Sequence, residues 1–160
     1  MDILWAPWRM TYVSGAPPPI GCLFCTALAA AEDDRRFVLS RGRTAFLILN
    51  AFPYAPGHLM AVTTRHVGSP EDLDAEESLE LWQTTQRAVT ALRAAYRPDG
   101  FNVGANIGRV AGAGVEGHLH LHVVPRWGGD TNFMPVVGAV KVMPESLEET
   151  FRRLRPHLAG

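Results

Sequence analysis

Three of the six histidines in the chain alternate within five residues, His118-Leu119-His120-Leu121-His122, and Val123 and Val124 follow them. A period of two belongs to a strand, where successive side chains leave on opposite faces. All three imidazoles therefore project from one face of that strand, and Leu119 and Leu121 from the other. The leucine face needs a core to pack on, so the segment belongs to a sheet whose back is apolar. Adjacent imidazoles then stand roughly 6–7 Å apart along the backbone, and the outer pair roughly 13 Å.

The rest of the chain reads as the surroundings of such a strand. Phe37 to Leu49 is β-rich, and its second half, TAFLILN, is a buried strand. The loop AFPYAPG stops it at Pro53 and Pro56, and His58 opens a further strand, HLMAVTTR. A helix follows, with Asp74 and Glu77 spaced as a capping box and with Leu79, Trp82, Val89, Leu92 and Tyr96 expected on its buried face. Pro98 and Gly100 end it. FNVGANIG (101–108) is expected as a strand, AGAGVEG (111–117) as a glycine-rich turn, and PESLEETFRRL (144–154) as a short amphipathic helix. AEDDRR (31–36) is expected as a solvated turn, and residues 1–21 as an amino-terminal arm whose residues 1–13, with Trp5 and Trp8, pack on the body or on a partner. One long helix among several strands indicates an α+β fold, and 160 residues suit a single domain over 1–160.

Composition excludes several partners. Hydrophobic residues make up 47% and charged residues 19%, an ordinary globular balance, with a net charge of −1. Nothing in it attracts nucleic acid or an anionic membrane, so an anionic ligand must be held by local donors. The apolar runs fall well short of the roughly 20 residues of a membrane helix. No basic start leads into an apolar stretch, so the expected location is cytoplasmic. Cys22 and Cys25 form a single CxxC, too short a loop to staple the domain. In a reducing compartment such a pair is a metal half-site, a redox motif or two unliganded thiols.

Three readings of the histidine ladder compete. It is a chance polar face, a catalytic metal site, or a covalent catalyst. The outer pair is too far apart for all three rings to meet on one ion without a bend. A neutral imidazole is a competent nucleophile once a hydrogen bond at its other nitrogen fixes the tautomer. Attack on phosphorus gives a nucleotidyl-imidazole, which water, phosphate or another acceptor resolves. The glycine turn before the ladder lets backbone N–H groups approach phosphate oxygens.

HLHLHVV matches the His-φ-His-φ-His-φ-φ signature, and the chain resembles the histidine-triad (HIT) superfamily of nucleotide hydrolases and transferases. LNAFPYAPGHLMAV is similar to that family's strand-loop-strand, and NIGRVAGAG to its phosphate loop. HVVPRWGGDTNFMP and LWAPWRM resemble the bacterial branch of diadenosine tetraphosphate phosphorylases and hydrolases. The resemblance implies an antiparallel β-sheet with one long helix, paired as a homodimer. It implies His120 as nucleophile, His122 as a hydrogen-bond partner of the reacting phosphate, and His58 as a buttress for His122. It assigns Asn50 to the ribose hydroxyls and Asn106 to the phosphate or leaving-group side.

The same resemblance closes a structural zinc site on Cys22, Cys25, His66 and His118, leaving His157 out. Gly114-Val115-Glu116 departs from a pattern that carries Gln and a hydroxyl before the triad. Phosphate binding then rests on backbone donors of Gly112, Gly114 and Val115, and nucleoside phosphoramidase activity is less expected. Trp5, Trp8 and Trp127 are expected at an interface or in the core, and Arg109 and Arg126 at the surface. The substrate expected is a dinucleoside polyphosphate. The alternatives are a phosphoramidase, a zinc-dependent hydrolase, and a nucleotide-binding regulatory module with little turnover.

Overall fold

A computed structural model of the protein describes residues 21–133, 137–138 and 143–158. The expected arm, with Trp5 and Trp8, lies outside the described residues apart from Gly21. The described chain runs α1 (Leu23–Ala29), α2 (Asp33–Arg36), β1 (Val38–Arg41), β2 (Ala45–Leu49), β3 (Leu59–Thr63), α3 (Ala75–Tyr96), β4 (Gly100–Gly104), β5 (His120–Arg126) and α4 (Leu147–Leu154). The strands form one sheet in the order β1-β2-β3-β5-β4, every pair antiparallel. The α+β expectation holds.

The sheet has two apolar faces covered by different elements. Leu47, Leu49, Leu59, Ala61, Leu119 and Val123 form one core with Leu81, Ala88, Ala91 and Leu92 of α3 and Phe151 and Leu154 of α4. Phe46, Ile48, Met60 and Val62 form the other, under Phe24 and Ala27 of α1. Met60 pairs with His122 and Val62 with His120 across β3 and β5, which puts the two histidines on the α1 side. Leu119 and Leu121 join the α3 core, as the alternation requires.

Helix α3 starts where the capping box places it. The Glu77 N–H donates to the Asp74 carboxylate at 2.8 Å, and the Asp74 N–H donates back to Glu77 at 3.0 Å. Arg65, just past β3, adds a two-pronged contact to Glu77 at 2.7 and 2.6 Å and holds its carboxyl down at about 2. Arg97 closes the helix in the left-handed region at φ 49°, directly before Pro98.

Three local expectations need correction. The buried face of α3 is Leu81, Thr84, Thr85, Ala88, Ala91 and Leu92, whereas Leu79 and Trp82 are 58% and 53% exposed. Their spacing is helical, but their stripe lies about 150° around the helix from the one the sheet receives. The strand expected over 101–108 ends at Gly104, because the next residues leave the β5 ladder. Residues 33–36 make one helical turn, with acids in front and arginines behind, as a short helix favours. A helix also begins directly at Cys22, which serves as its N-cap residue.

Candidate functional site

The three histidines share a face but have different partners. His118 lies just before β5 and is fully buried. Its Nε2 is 2.6 Å from the Thr63 carbonyl, an oxygen that only accepts, so the ring proton sits on Nε2. Its Nδ1 lone pair faces two sulfurs, Cys22 Sγ at 3.2 Å and Cys25 Sγ at 3.6 Å. His66 Nδ1 lies 3.4 Å from Cys25 Sγ, and the four donor atoms are all within 4.8 Å of one another.

That donor set fits a metal. Zinc–sulfur bonds of about 2.3 Å and zinc–nitrogen bonds of about 2.0–2.1 Å give a tetrahedral S–N edge of about 3.6 Å. The observed 3.2, 3.4 and 3.6 Å lie close to it. The Thr63 carbonyl on the far nitrogen of His118 is the kind of outer contact that orients a ligating imidazole. Burial first, and then the neighbouring Cys22 thiol, hold the Cys25 thiol above its ordinary value, a penalty that a cation between them would reverse. The two cysteines are not bonded to each other. His157, in the turn Arg155–His157, is exposed and takes no part in the cluster.

His120 is 5% exposed and uses its Nδ1 differently. That nitrogen lies 2.7 Å from the His118 carbonyl, so it carries the proton and Nε2 keeps the lone pair. Burial lowers the His120 pKa, and its bond to the carbonyl offsets part of that effect. The ring is therefore neutral near pH 7, with one nitrogen free to attack an electrophile. Two aromatic rings flank it, Phe24 at 5.0 Å and His122 at 5.0 Å between centroids.

His122 ends a short relay. The Tyr54 N–H donates to His58 Nδ1 at 3.0 Å, which leaves the His58 proton on Nε2. That proton is directed at His122 Nδ1, 2.9 Å away, so the remaining His122 proton sits on its Nε2. Burial, and secondarily the charge of His120 when present, push the His122 pKa down to about 4. The ladder thus sets an acceptor nitrogen on His120 beside a donor nitrogen on His122. The Tyr54 ring stacks over His122 at 5.7 Å and 28°, and it also covers His58 at 4.5 Å.

The remaining expected residues surround this pair. Asn50 follows β2, its Oδ1 accepting the Phe52 N–H at 2.8 Å and its amide nitrogen lying 3.4 Å from His58 Nδ1. Asn106 Nδ2 reaches the Gly112 carbonyl at 3.5 Å. The Gly112 N–H closes the turn onto Arg109 O at 2.9 Å, and its φ of +89° is one that favours glycine. The N–H of Gly112 therefore shapes the loop instead of offering itself to a phosphate. Gly114 and Val115 follow in the same loop, with Val115 packed against the α1-side core. Glu116 pairs with Arg109 at 3.6 Å on the outside of the loop. Arg126 contacts Asp130 and Asn102, and Trp127 lies edge-on to Tyr96 at 6.4 Å.

Sequence reasoning missed Phe24, Tyr54 and Thr63. Phe24 is signalled only by its place inside CLFC, and Tyr54 by standing four residues before His58. Thr63 offers its main-chain carbonyl and Tyr54 its N–H as well as its ring, so for those two bonds the residue types carry little signal.

Residues 31–129 match the HIT domain family. A Mycobacterium tuberculosis protein named AP-4-A phosphorylase is 44% identical over 158 residues, covering 94% of this chain and 81% of its own. Bis(5'-adenosyl)-triphosphatase of Dictyostelium discoideum is 34% identical over 82 residues, covering 51% of this chain and 54% of its own. A solved structure described as a zinc-bound histidine triad family protein from Mycobacterium smegmatis superposes with a TM-score of 0.71 at 28% identity, covering 88% and 94% of the two chains.

Proposed function

The chain belongs to the HIT domain family, and on that premise we propose that it cleaves dinucleoside polyphosphates through a nucleotidyl group carried on His120. The observation that carries the proposal is the pair of opposed tautomers, a lone pair at His120 Nε2 next to a donor at His122 Nε2. The names of the Mycobacterium and Dictyostelium relatives support the substrate class.

In the first step His120 Nε2 forms a bond to the α-phosphorus, and the bond from phosphorus to the bridging oxygen breaks. The electron pair leaves with the nucleoside polyphosphate. The positive charge that develops on the imidazole is stabilised by the Nδ1–H bond to the His118 carbonyl. His122 donates from Nε2 to a phosphate oxygen, with its other nitrogen satisfied by His58. Backbone donors of Gly114 and Val115 hold further oxygens on a turn shaped by Gly112, and Asn50 and Asn106 contact the ribose and the leaving side. In the second step phosphate or water attacks phosphorus and releases the imidazole.

Cys22, Cys25, His66 and His118 would hold a structural zinc ion, a closed four-ligand site that stabilises the fold and offers the substrate no open position. A homodimer would cover the apolar surface on the α3 side. The edge strand β4 exposes Val103, α3 exposes Leu79 and Trp82, and an open groove of about 390 Å³ is lined by Trp82, Ile107 and Leu121. Among the described residues no helix is long and apolar enough to cross a membrane, and two unbonded thiols suit the reducing cytoplasm.

Turnover of diadenosine tetraphosphate with and without inorganic phosphate tests the proposal. ADP and ATP formed only with phosphate identify a phosphorylase, and AMP and ATP without it identify a hydrolase. Absence of both overturns the substrate reading in favour of phosphoramidates or of a binding module.

A further inference from the structure

Helix α1 has a direct contact with the nucleophile that the metal cluster alone does not explain. Phe24 stands between Cys22 and Cys25 and is 1% exposed. Its ring meets three others: His118 edge-on at 5.3 Å and 75°, His120 at 5.0 Å and 53°, and Phe46 at 6.4 Å and 72°. One residue thus touches both a member of the four-ligand cluster and the ring proposed to attack phosphorus.

A single hydrogen bond from Nδ1 to the His118 carbonyl leaves the His120 imidazole able to rock about its side-chain bonds. Walls stop that motion. His122 stands on one side at 5.0 Å, and Val62 is the cross-strand neighbour on β3. Phe24 supplies a wall from outside the sheet, and α1 is a helix of only two turns. So short a helix is marginal on its own account. Its position depends on the buried Phe24 and Ala27 and on whatever ties down Cys22 and Cys25, which bracket Phe24 on both sides.

We propose that Phe24 is a positioning residue for His120, held in place by the Cys22–Cys25 knot, so that the four-ligand cluster serves the reaction by aligning the nucleophile. The proposal rests on His120 being the nucleophile, as argued above. It gives the cluster a role beyond holding the chain together, and it assigns that role to an apolar side chain. A misalignment of a reacting atom by about 1 Å is enough to cost roughly 100-fold in rate.

The test uses the full, zinc-loaded chain with Phe24→Ala, Phe24→Leu and, as a control of similar burial on the opposite face of the sheet, Phe151→Leu. Four quantities are read: zinc per chain, melting temperature, the single-turnover rate of nucleotidyl-enzyme formation, and the ¹⁵N imidazole signals of His120. With zinc content unchanged, Phe24→Ala is expected to slow nucleotidyl transfer by roughly 10- to 100-fold. KM should move by less than about threefold, since Phe24 acts through His120. The His120 signals should change from a single Nδ1–H tautomer to a mixture. Phe24→Leu, which keeps most of the bulk, should lie between the two. Phe151→Leu should lower the melting temperature and leave rate and tautomer alone.

An unchanged rate and tautomer in Phe24→Ala, or an equal rate loss in Phe151→Leu, overturns the proposal. Should Phe24→Ala lose zinc, Phe24→Leu decides: a slower rate with full zinc supports the proposal, and an unchanged rate overturns it. The tautomer signal needs no substrate, so it still decides the matter if the unsubstituted protein turns over no nucleotide and the reaction reading itself fails.

Discussion

At its His118 end the histidine ladder is closed, and at its His122 end it is half open. His118 is fully buried, with one ring nitrogen on the Thr63 carbonyl and the other facing two sulfurs. His122 is partly exposed, with one nitrogen on His58. His120, between them, takes its proton position from the main chain of one neighbour and faces the ring of the other. Three identical side chains in one alternating run thus have three different sets of partners. The difference comes from which acceptor or donor each nitrogen meets, so an imidazole's function is a property of its partners.

Substitutions at the two ends and the centre should separate these three settings. His120→Ala is expected to have the largest effect on turnover, a loss of roughly 10³-fold or more with nucleotide binding retained. A rapid-quench assay beside a binding titration checks it, and surviving turnover would remove His120 from the nucleophile's place. At the closed end, Cys25→Ser should release the metal and lower stability by about 3–5 kcal/mol, a fall of roughly 10 °C or more in melting temperature. Metal analysis and calorimetry on one preparation test this. At the open end, His58→Ala removes the donor to His122 Nδ1 and should lower kcat by roughly 10- to 100-fold with metal content unchanged. A cut as deep as that of His120→Ala would mean that the relay is part of the bond-making step.

The smallest effect concerns acid. An unfolded histidine gains its proton near pH 6.5, whereas native His122 does so only at about 4. Between those values the unfolded state binds more protons, so stability rises with pH there. The contribution is complete above about pH 6.5 and lost as the solution is acidified towards pH 4. Melting curves of the unsubstituted protein should fall across that window, and those of His122→Gln should fall less steeply. Equal slopes would show that burial does not hold His122 neutral.

Much of this arrangement could be read from residue order, and the limits are instructive. The ladder's two faces follow from a period of two, and the start of α3 from Asp74 and Glu77, since both signals are local. The buried face of α3 was misread because Leu79 and Trp82 share the helical spacing of a core stripe. Which stripe meets a sheet depends on how the chain enters the helix, and Arg65 settles that from outside it by gripping Glu77. The cluster of Cys22, Cys25, His66 and His118 was legible only through family resemblance, as its members are far apart in sequence. Tautomers were beyond reach, because they depend on main-chain atoms of Thr63, Tyr54 and His118 that almost every residue type carries.

The separation of those cluster members has a consequence in time. Cys22 and His118 are 96 positions apart, and a ribosome adds about 5–20 residues per second. Both thiols therefore leave the ribosome roughly 5–20 s before their last partner exists. For that interval Cys22 and Cys25 are two adjacent thiols on an unfinished chain, exposed to oxidants and to stray metals. The cluster can close only after His118 has been made, which ties its completion, and the last anchor of α1, to the synthesis of the β5 region.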